Sequence, residues 1–573
     1  MSIAPTAAEA AKVAKQLGSY ISEASKYGLA KRTQIIDPRL CSDVLTRLRP
    51  SLERHKGCIL IDVNPGLGLW SEYLHKLVKP RQHILSNPSK HFYKPYIEPV
   101  IRRHEKSMLT SDMGLGEILH SDRFFGKASA QDELERTTTV NNDILVTINL
   151  AGPSQHNLKS IRGRQDQYFW NNLWASLVDG MRDDVFYRGL IRILAWVPDE
   201  AKYSIVPRSA EPVNRQSVQV QMIANVTEVA GGSVLLGDHA QRHRRPHQLE
   251  MEDLVDRGKP HAETDFSAAR IDLPPLPAAV ELQPNVATLA NTDHIARFPW
   301  LDRLIELDRQ VLEIDPTLHK DLELAKSSRR TWLVRSKDPV IKEWSHHYSV
   351  TRTKHAVYQR QLDLINEQRA IEAEWRSTPN DEDPRVAPLK DRAAEVVAQT
   401  NKMRKVDAAG VRKHIDSYRL YDNKASHWCS RTYNPLITHP REFAHATPTT
   451  LALLDIQPRP EFRQVFDTET KHAYLSHVLS HFCSRPATSM HELIESLLNS
   501  SGMDDFIATV PNLRNVRMGG WYNLHDLRPR TLSSRLWQDL ALAYAEWPFR
   551  LSIDTLTFGM KNAKRSLEEH DQI

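Results

Sequence analysis

The sequence predicts an α/β fold, a parallel sheet with helices on its faces, interrupted by a helical insertion and closed by a C-terminal helical domain. Three observations carry this. Short apolar runs alternate with helical stretches between about Asp37 and Gly232. One of those runs ends in a glycine turn, Asp62-Val63-Asn64-Pro65-Gly66-Leu67-Gly68, that leads into a helix. From Trp300 to about Tyr421 the apolar spacing changes to a helical one.

The runs Cys58–Val63, His83–Leu85, Asp143–Ile148 and Gly189–Trp196 read as buried strands. Gln219 to Val226 alternates polar and apolar residues and reads as a later strand with one exposed face. Gly231 to Asn291 is punctuated by Gly and Pro and reads as a linker. Leu301, Leu304, Ile305, Asp308, Val311 and Leu312 then form a mostly apolar stripe, ended by Pro316. Val357–Trp375 and Leu389–Arg404 read as two further helices, with Asn380–Pro384 as the loop between them. Thr450–Gln457, fenced by Pro448 and Pro458, is again strand-like, so the α/β domain resumes after the insertion. The expected division is an N-terminal segment 1–30, an α/β domain 31–232, a Pro-rich linker 233–294, a basic helical insertion 295–424, a return strand in 425–460 and a helical domain 461–573.

At 573 residues the chain is too long for one compact core. Hydrophobic residues at 40%, charged residues at 26% and a mean hydropathy of −0.50 describe a chain with no apolar run of membrane-spanning length. Cys41, Cys58, Cys429 and Cys483 are too scattered for a zinc or redox motif, which points to reduced thiols. No lysine-bearing phosphate loop and no Gly-x-Ser-x-Gly elbow is present. His239, His243 and His247 sit four apart, but Pro246 and the intervening arginines argue against a metal site, and none is expected. The first 20 residues are alanine-rich, with Lys12 and Lys15 against Glu9, while the first arginine is Arg32. A mitochondrial targeting helix and an ordinary surface helix or tail both remain open.

The Asp62–Gly68 turn is the first candidate site. A strand end feeding a helix start presents unpaired backbone N–H groups, and glycine lets a ligand approach them. A tight turn with no ligand has the same pattern. Asn149, in Asn149-Leu150-Ala151-Gly152, ends another buried run. The third candidate lies in the insertion. Between Lys326 and Arg360 there are nine Lys/Arg against two Asp/Glu. Lys326, Arg329, Arg330, Trp332, Arg352 and Lys354 mix cations with an aromatic, which suits phosphate neutralisation and base stacking. A solvated helical face is the competing reading.

Together these stretches resemble the rRNA adenine N6-dimethyltransferase family, and within it the fungal mitochondrial branch of transcription factors B. The likeness is carried by Tyr27–Arg32 with Ile36-Asp37-Pro38, Asp62–Trp70, Tyr96–Pro99, Asn149–Gly152, Trp196 to Ser209, Arg431 to Pro458, and Glu546–Arg550. It covers roughly residues 27–232 and 425–550 and leaves the insertion unexplained. The resemblance implies a Rossmann-like S-adenosylmethionine-dependent methyltransferase domain. It places Asp62, Gly66 and Gly68 at the cofactor, Asn87 at the ribose and Asn149 in the catalytic position. It also implies promoter DNA or rRNA and mitochondrial RNA polymerase as partners, a mitochondrial matrix location, no membrane, and a monomer before complex formation.

The departures from that pattern all weaken chemistry. Asn64 replaces the first glycine, and Asn87 replaces an acid. Ala151 and Gly152 stand where such enzymes carry a proline and a base-stacking aromatic. The expectation is a degenerate methyltransferase fold working as a mitochondrial transcription initiation factor. The alternatives are an active rRNA adenine-N6,N6-dimethyltransferase or a mitochondrial ribosome-associated protein.

Overall fold

A computed structural model describes residues 33–86, 90–110, 113–126, 139–151, 185–232, 301–314, 337–431, 433, 435–444, 450–498, 502–553 and 555, leaving aside the side chains of residues 90–95, 301, 302, 352, 355, 358 and 469. The chain divides into two compact units, one of residues 1–272 with 419–573 and one of residues 273–418.

The first unit is built on an eight-stranded sheet. Its strands are β2 (Ile59–Val63), β3 (Gln82–Ser86), β4 (Ser107–Thr110), β5 (Val140–Asn149), β6 (Leu190–Pro198), β7 (Ala224–Gly232), β8 (Leu436–Thr438) and β10 (Leu451–Pro458). The spatial order is β4-β3-β2-β5-β6-β10-β7-β8. All neighbours run parallel except β10, which is antiparallel to both β6 and β7. A separate two-stranded sheet pairs β1 (Gln34–Ile35) with β9 (Phe443–Ala444).

The expected strands at 58–63, 83–85, 143–148, 189–196 and 450–457 therefore exist, with slightly shifted ends. The one expected at 219–226 does not. Residues Arg215–Ile223 form a helix, and β7 begins only at Ala224. Asn214 and Ser217 make a reciprocal capping box that starts this helix. Val218, Val220, Met222 and Ile223 are all buried, so the apolar alternation came from a short helix enclosed on several sides.

Helix α1 (Pro38–Leu52) starts where Asp37 accepts from the Arg39 amide and Pro38 occupies the first turn. Leu40, Val44, Leu45, Leu48 and Leu52 are buried at helical spacing. They pack with Trp70, Leu74 and Val78 of helix α2 (Leu69–Val78) against Leu60, Leu145, Leu194 and Leu453 of the sheet. Each such leucine contributes about 1.5–3 kcal/mol of transfer free energy.

Two ion-pair clusters pin the later strands. Arg192 on β6 makes a bidentate contact of 2.8 and 2.7 Å with Asp455 on β10. Its remaining donors reach Ser51 at the end of α1. Lys202, fully buried, contacts Asp199, Glu228 and the Gly232 carbonyl. Helix Ser534–Glu546 packs on helices Glu469–Cys483 and Arg215–Ile223 and completes the unit.

In the second unit, helix α3 (Leu301–Ile314) packs on the long helix α4 (Pro339–Arg376). Helices Val386–Asn401 and Lys405–Asp422 follow. Leu304, Leu307 and Val311 form the apolar contact with Ile341 and Trp344, so the buried stripe is rotated slightly from the expected one. Asp308 within that stripe accepts from the Trp344 indole at 2.9 Å, which accounts for a carboxylate there. Helix α4 begins far earlier than the expected Val357. Asp338 caps it, accepting from two backbone amides, and Pro339 sits in its first turn.

A candidate ligand crevice at the sheet switch point

The sheet order reverses between β2 and β5, and in open α/β sheets ligands bind outside the strand C-termini at such a point. A crevice lies there. Its walls include Gln34, Asp62, Asn64, Trp70, Thr147, Asn149 and Trp196. Between them is room for about one water molecule.

The glycine turn has the backbone the sequence predicts. Gly66 and Gly68 have φ of 57° and 76°. Asn64, in the first glycine's place, has φ of 61°. Asparagine tolerates this left-handed region better than most residues, so the loop survives the replacement. The added side chain has its own effect. Asn64 Nδ2 donates to the Asn149 carbonyl at 3.1 Å, while the Asn64 amide donates to the Ser86 carbonyl at 2.8 Å. One residue thus ties the ends of β2, β3 and β5 together.

Asn149 is 8% exposed and engaged at both ends of its side chain. Nδ2 donates to the Thr33 carbonyl at 3.1 Å, and Oδ1 accepts from the Ala151 amide at 2.9 Å. Asp62 is buried, with Oδ2 3.8 Å from His83 Nε2 and without a hydrogen-bond partner among the described residues. Trp70 donates from Nε1 to Thr147 Oγ1 at 2.8 Å and stands edge-on to Trp196, with ring centroids 5.3 Å apart. Neither tryptophan nor Thr147 is marked for this place by any spacing in the sequence.

The glycines accommodate the chain itself. A side chain at Gly68 would press on Val100 at 3.0 Å, and one at Gly66 would overlap the side chain of Gln34. Gln34 is 1% exposed and belongs to β1. The Gln34 side chain therefore lies against the glycine turn.

Of the expected site residues, Asp62 and Asn149 line the crevice, while Gly66 and Gly68 lie in the turn between β2 and α2. Asn87 and Gly152 lie outside the described residues, as do Lys326, Arg329, Arg330, Trp332 and the three histidines 239, 243 and 247. The Arg352 side chain is likewise outside them. Lys354, Lys342, His346 and Arg360 are exposed on α4. Among the described residues no group of three His, Cys, Asp or Glu could hold a metal, and no helix is long and apolar enough to cross a membrane.

No family model matches the sequence, and no curated protein does. Among solved structures, the chain is similar to a Pyrococcus horikoshii protein provisionally described as an RNA methyltransferase, at 15% identity and a TM-score of 0.20, over 34% of this chain and 75% of that one. A likeness of that size says nothing about chemistry.

Proposed function

We propose that this protein is a non-catalytic mitochondrial transcription initiation factor built on a degenerate rRNA adenine dimethyltransferase scaffold. Counting β2 as the first strand and leaving out the three-residue edge strand β8, the order 3-2-1-4-5-7-6 with an antiparallel seventh strand is the order used by S-adenosylmethionine-dependent methyltransferases, which supports the descent. The observation that carries the loss of chemistry is the crevice itself. Gln34, Asn64 and Asn149 line it, and the amides of Asn64 and Asn149 bond to the chain's own backbone.

In this reading Asp62, Gly66, Gly68 and Asn87 are vestiges of a cofactor site, and Asn149 of a catalytic one. The working surface is the basic insertion. Lys326, Arg329, Arg330, Arg352 and Lys354 neutralise phosphates, and Trp332 stacks on an unpaired base, so that melted promoter DNA is held beside a mitochondrial RNA polymerase in the matrix. Transcription reconstituted from a mitochondrial promoter with and without the protein tests this. Dependence on the protein supports the reading, and equal transcript without it ends the idea.

A second reading is favoured by one observation. Asn149 stands at the end of the fourth strand, where an amine-orienting group would act. An active rRNA adenine-N6 dimethyltransferase requires that Asn149 leave both of its present partners. Loss of rRNA methylation on Asn149→Ala would favour this reading over the first.

A further inference from the structure

The segment Thr33–Ile35 crosses the crevice mouth as a strap. Three separate contacts place it there. The Thr33 carbonyl accepts from Asn149, the Gln34 side chain lies in the space a Cβ of Gly66 would need, and Ile35 joins the crevice wall. The strap's backbone is also fixed from outside. Gln34 and Ile35 pair with Ala444 and Phe443, the Ile36 amide donates to the Glu442 carbonyl at 3.0 Å, and Asp37 starts α1. Phe443 in turn packs edge-on to Trp196, with ring centroids 6.4 Å apart.

We propose that Gln34 is a built-in occupant of the glycine cradle, and that through it the 33–35 strap closes the crevice to a nucleoside-bearing ligand. A glycine turn leaves its backbone open so that a polar group can approach closely. Here the approaching group is a primary amide from the same chain. It is held at effectively high local concentration, because the strap pairs with β9 and runs on into α1. Any external ligand must first displace Gln34, and its apparent affinity is reduced by the fraction of molecules in which the strap stands open.

This rests on the non-catalytic reading, but it is decided by a different assay. S-adenosylmethionine, S-adenosylhomocysteine and adenosine are titrated by calorimetry into the full chain and into its Gln34→Ala and Gln34→Gly variants. The expected result is weak or no saturable binding to the wild type and binding tighter by on the order of tenfold in a variant. Equal affinity in wild type and variants overturns the proposal, and so does no binding to any of the three.

A second measurement tests the contact without a ligand. Gly66→Ala lowers the Tm, and Gln34→Gly added to it raises the Tm again while lowering that of the wild type. Left-handed strain at residue 66 alone would not be relieved by a change at residue 34, so absence of this rescue overturns the contact. Promoter-dependent transcription is indifferent to either outcome.

Discussion

Asn64 and Asn149 are joined by a hydrogen bond of 3.1 Å from side-chain amide to main-chain carbonyl, across the point where the sheet order reverses. In the proposed reading they are the positions of a former glycine and a former catalytic amide. Here they hold one strand end to the other.

Asn64 therefore has two separable roles. Asn64→Ala loses the hydrogen bond and places a Cβ-bearing residue without a helpful side chain at φ 61°, a combined cost of about 2 kcal/mol. Asn64→Gly loses the bond but relaxes the backbone, so it costs about 1 kcal/mol less than Asn64→Ala. Urea denaturation of the two variants measures the gap, and equal stabilities would contradict it.

The Arg192–Asp455 pair joins β6 to β10 with both side chains at least 95% buried. Asp455→Ala leaves the guanidinium in the interior, where Ser51 still accepts from it through its carbonyl and its hydroxyl. Removing one partner of such a pair costs about 3–5 kcal/mol. A loss of less than about 1 kcal/mol in chemical denaturation would show that the Ser51 hydrogen bonds suffice. Replacing both residues with apolar ones of similar volume should recover most of the loss.

Acid should weaken the fold through its histidines. Burial, with Arg459 nearby, lowers the His427 pKa to about 3, and burial first of all lowers those of His55, His75 and His472 to about 4. The unfolded chain takes these protons near pH 6.5 while the folded one refuses them. The stability is thus fully present above about 6.5 and falls as the pH drops from there toward 4. Tm measured across that window should decline with acid, and His427→Gln should flatten the decline. A flat wild-type profile would show that the buried imidazoles are protonated at no cost.

A phosphate-binding role for the insertion predicts a dependence on salt. Neutralising Arg329, Arg330 and Lys354 together should weaken single-stranded DNA binding and reduce the slope of log K against log salt by about 0.7 for each phosphate that is no longer neutralised. Fluorescence anisotropy at several salt concentrations reads the slope directly. An unchanged slope would assign the polyanion surface elsewhere.

The parallel strands were legible because both of their faces are covered, so the sequence shows unbroken apolar runs such as Ile59–Val63. The helix at 215–223 was not, because nine residues with several buried sides show no clear helical period. Its capping pair, Asn214 with Ser217, lacked the Glu or Gln that usually marks such a box. The early start of the long helix was available in Asp338-Pro339, a cap followed by a first-turn proline. At the site, the glycine turn was readable because it is local. Gln34 was invisible as an occupant because the contact joins residues 34 and 66 through the fold, and no spacing in the chain encodes it.

The position of β10 has a consequence for how the protein is made. That strand sits between β6 and β7, yet it is the last of the three to leave the ribosome, after the whole second unit. Until it arrives, β6 lacks one neighbour, and β7 lacks both until β8 and β10 follow the second unit, so the nascent chain carries exposed strand edges that can pair wrongly with other chains. Those edges stay open through the synthesis of the entire insertion.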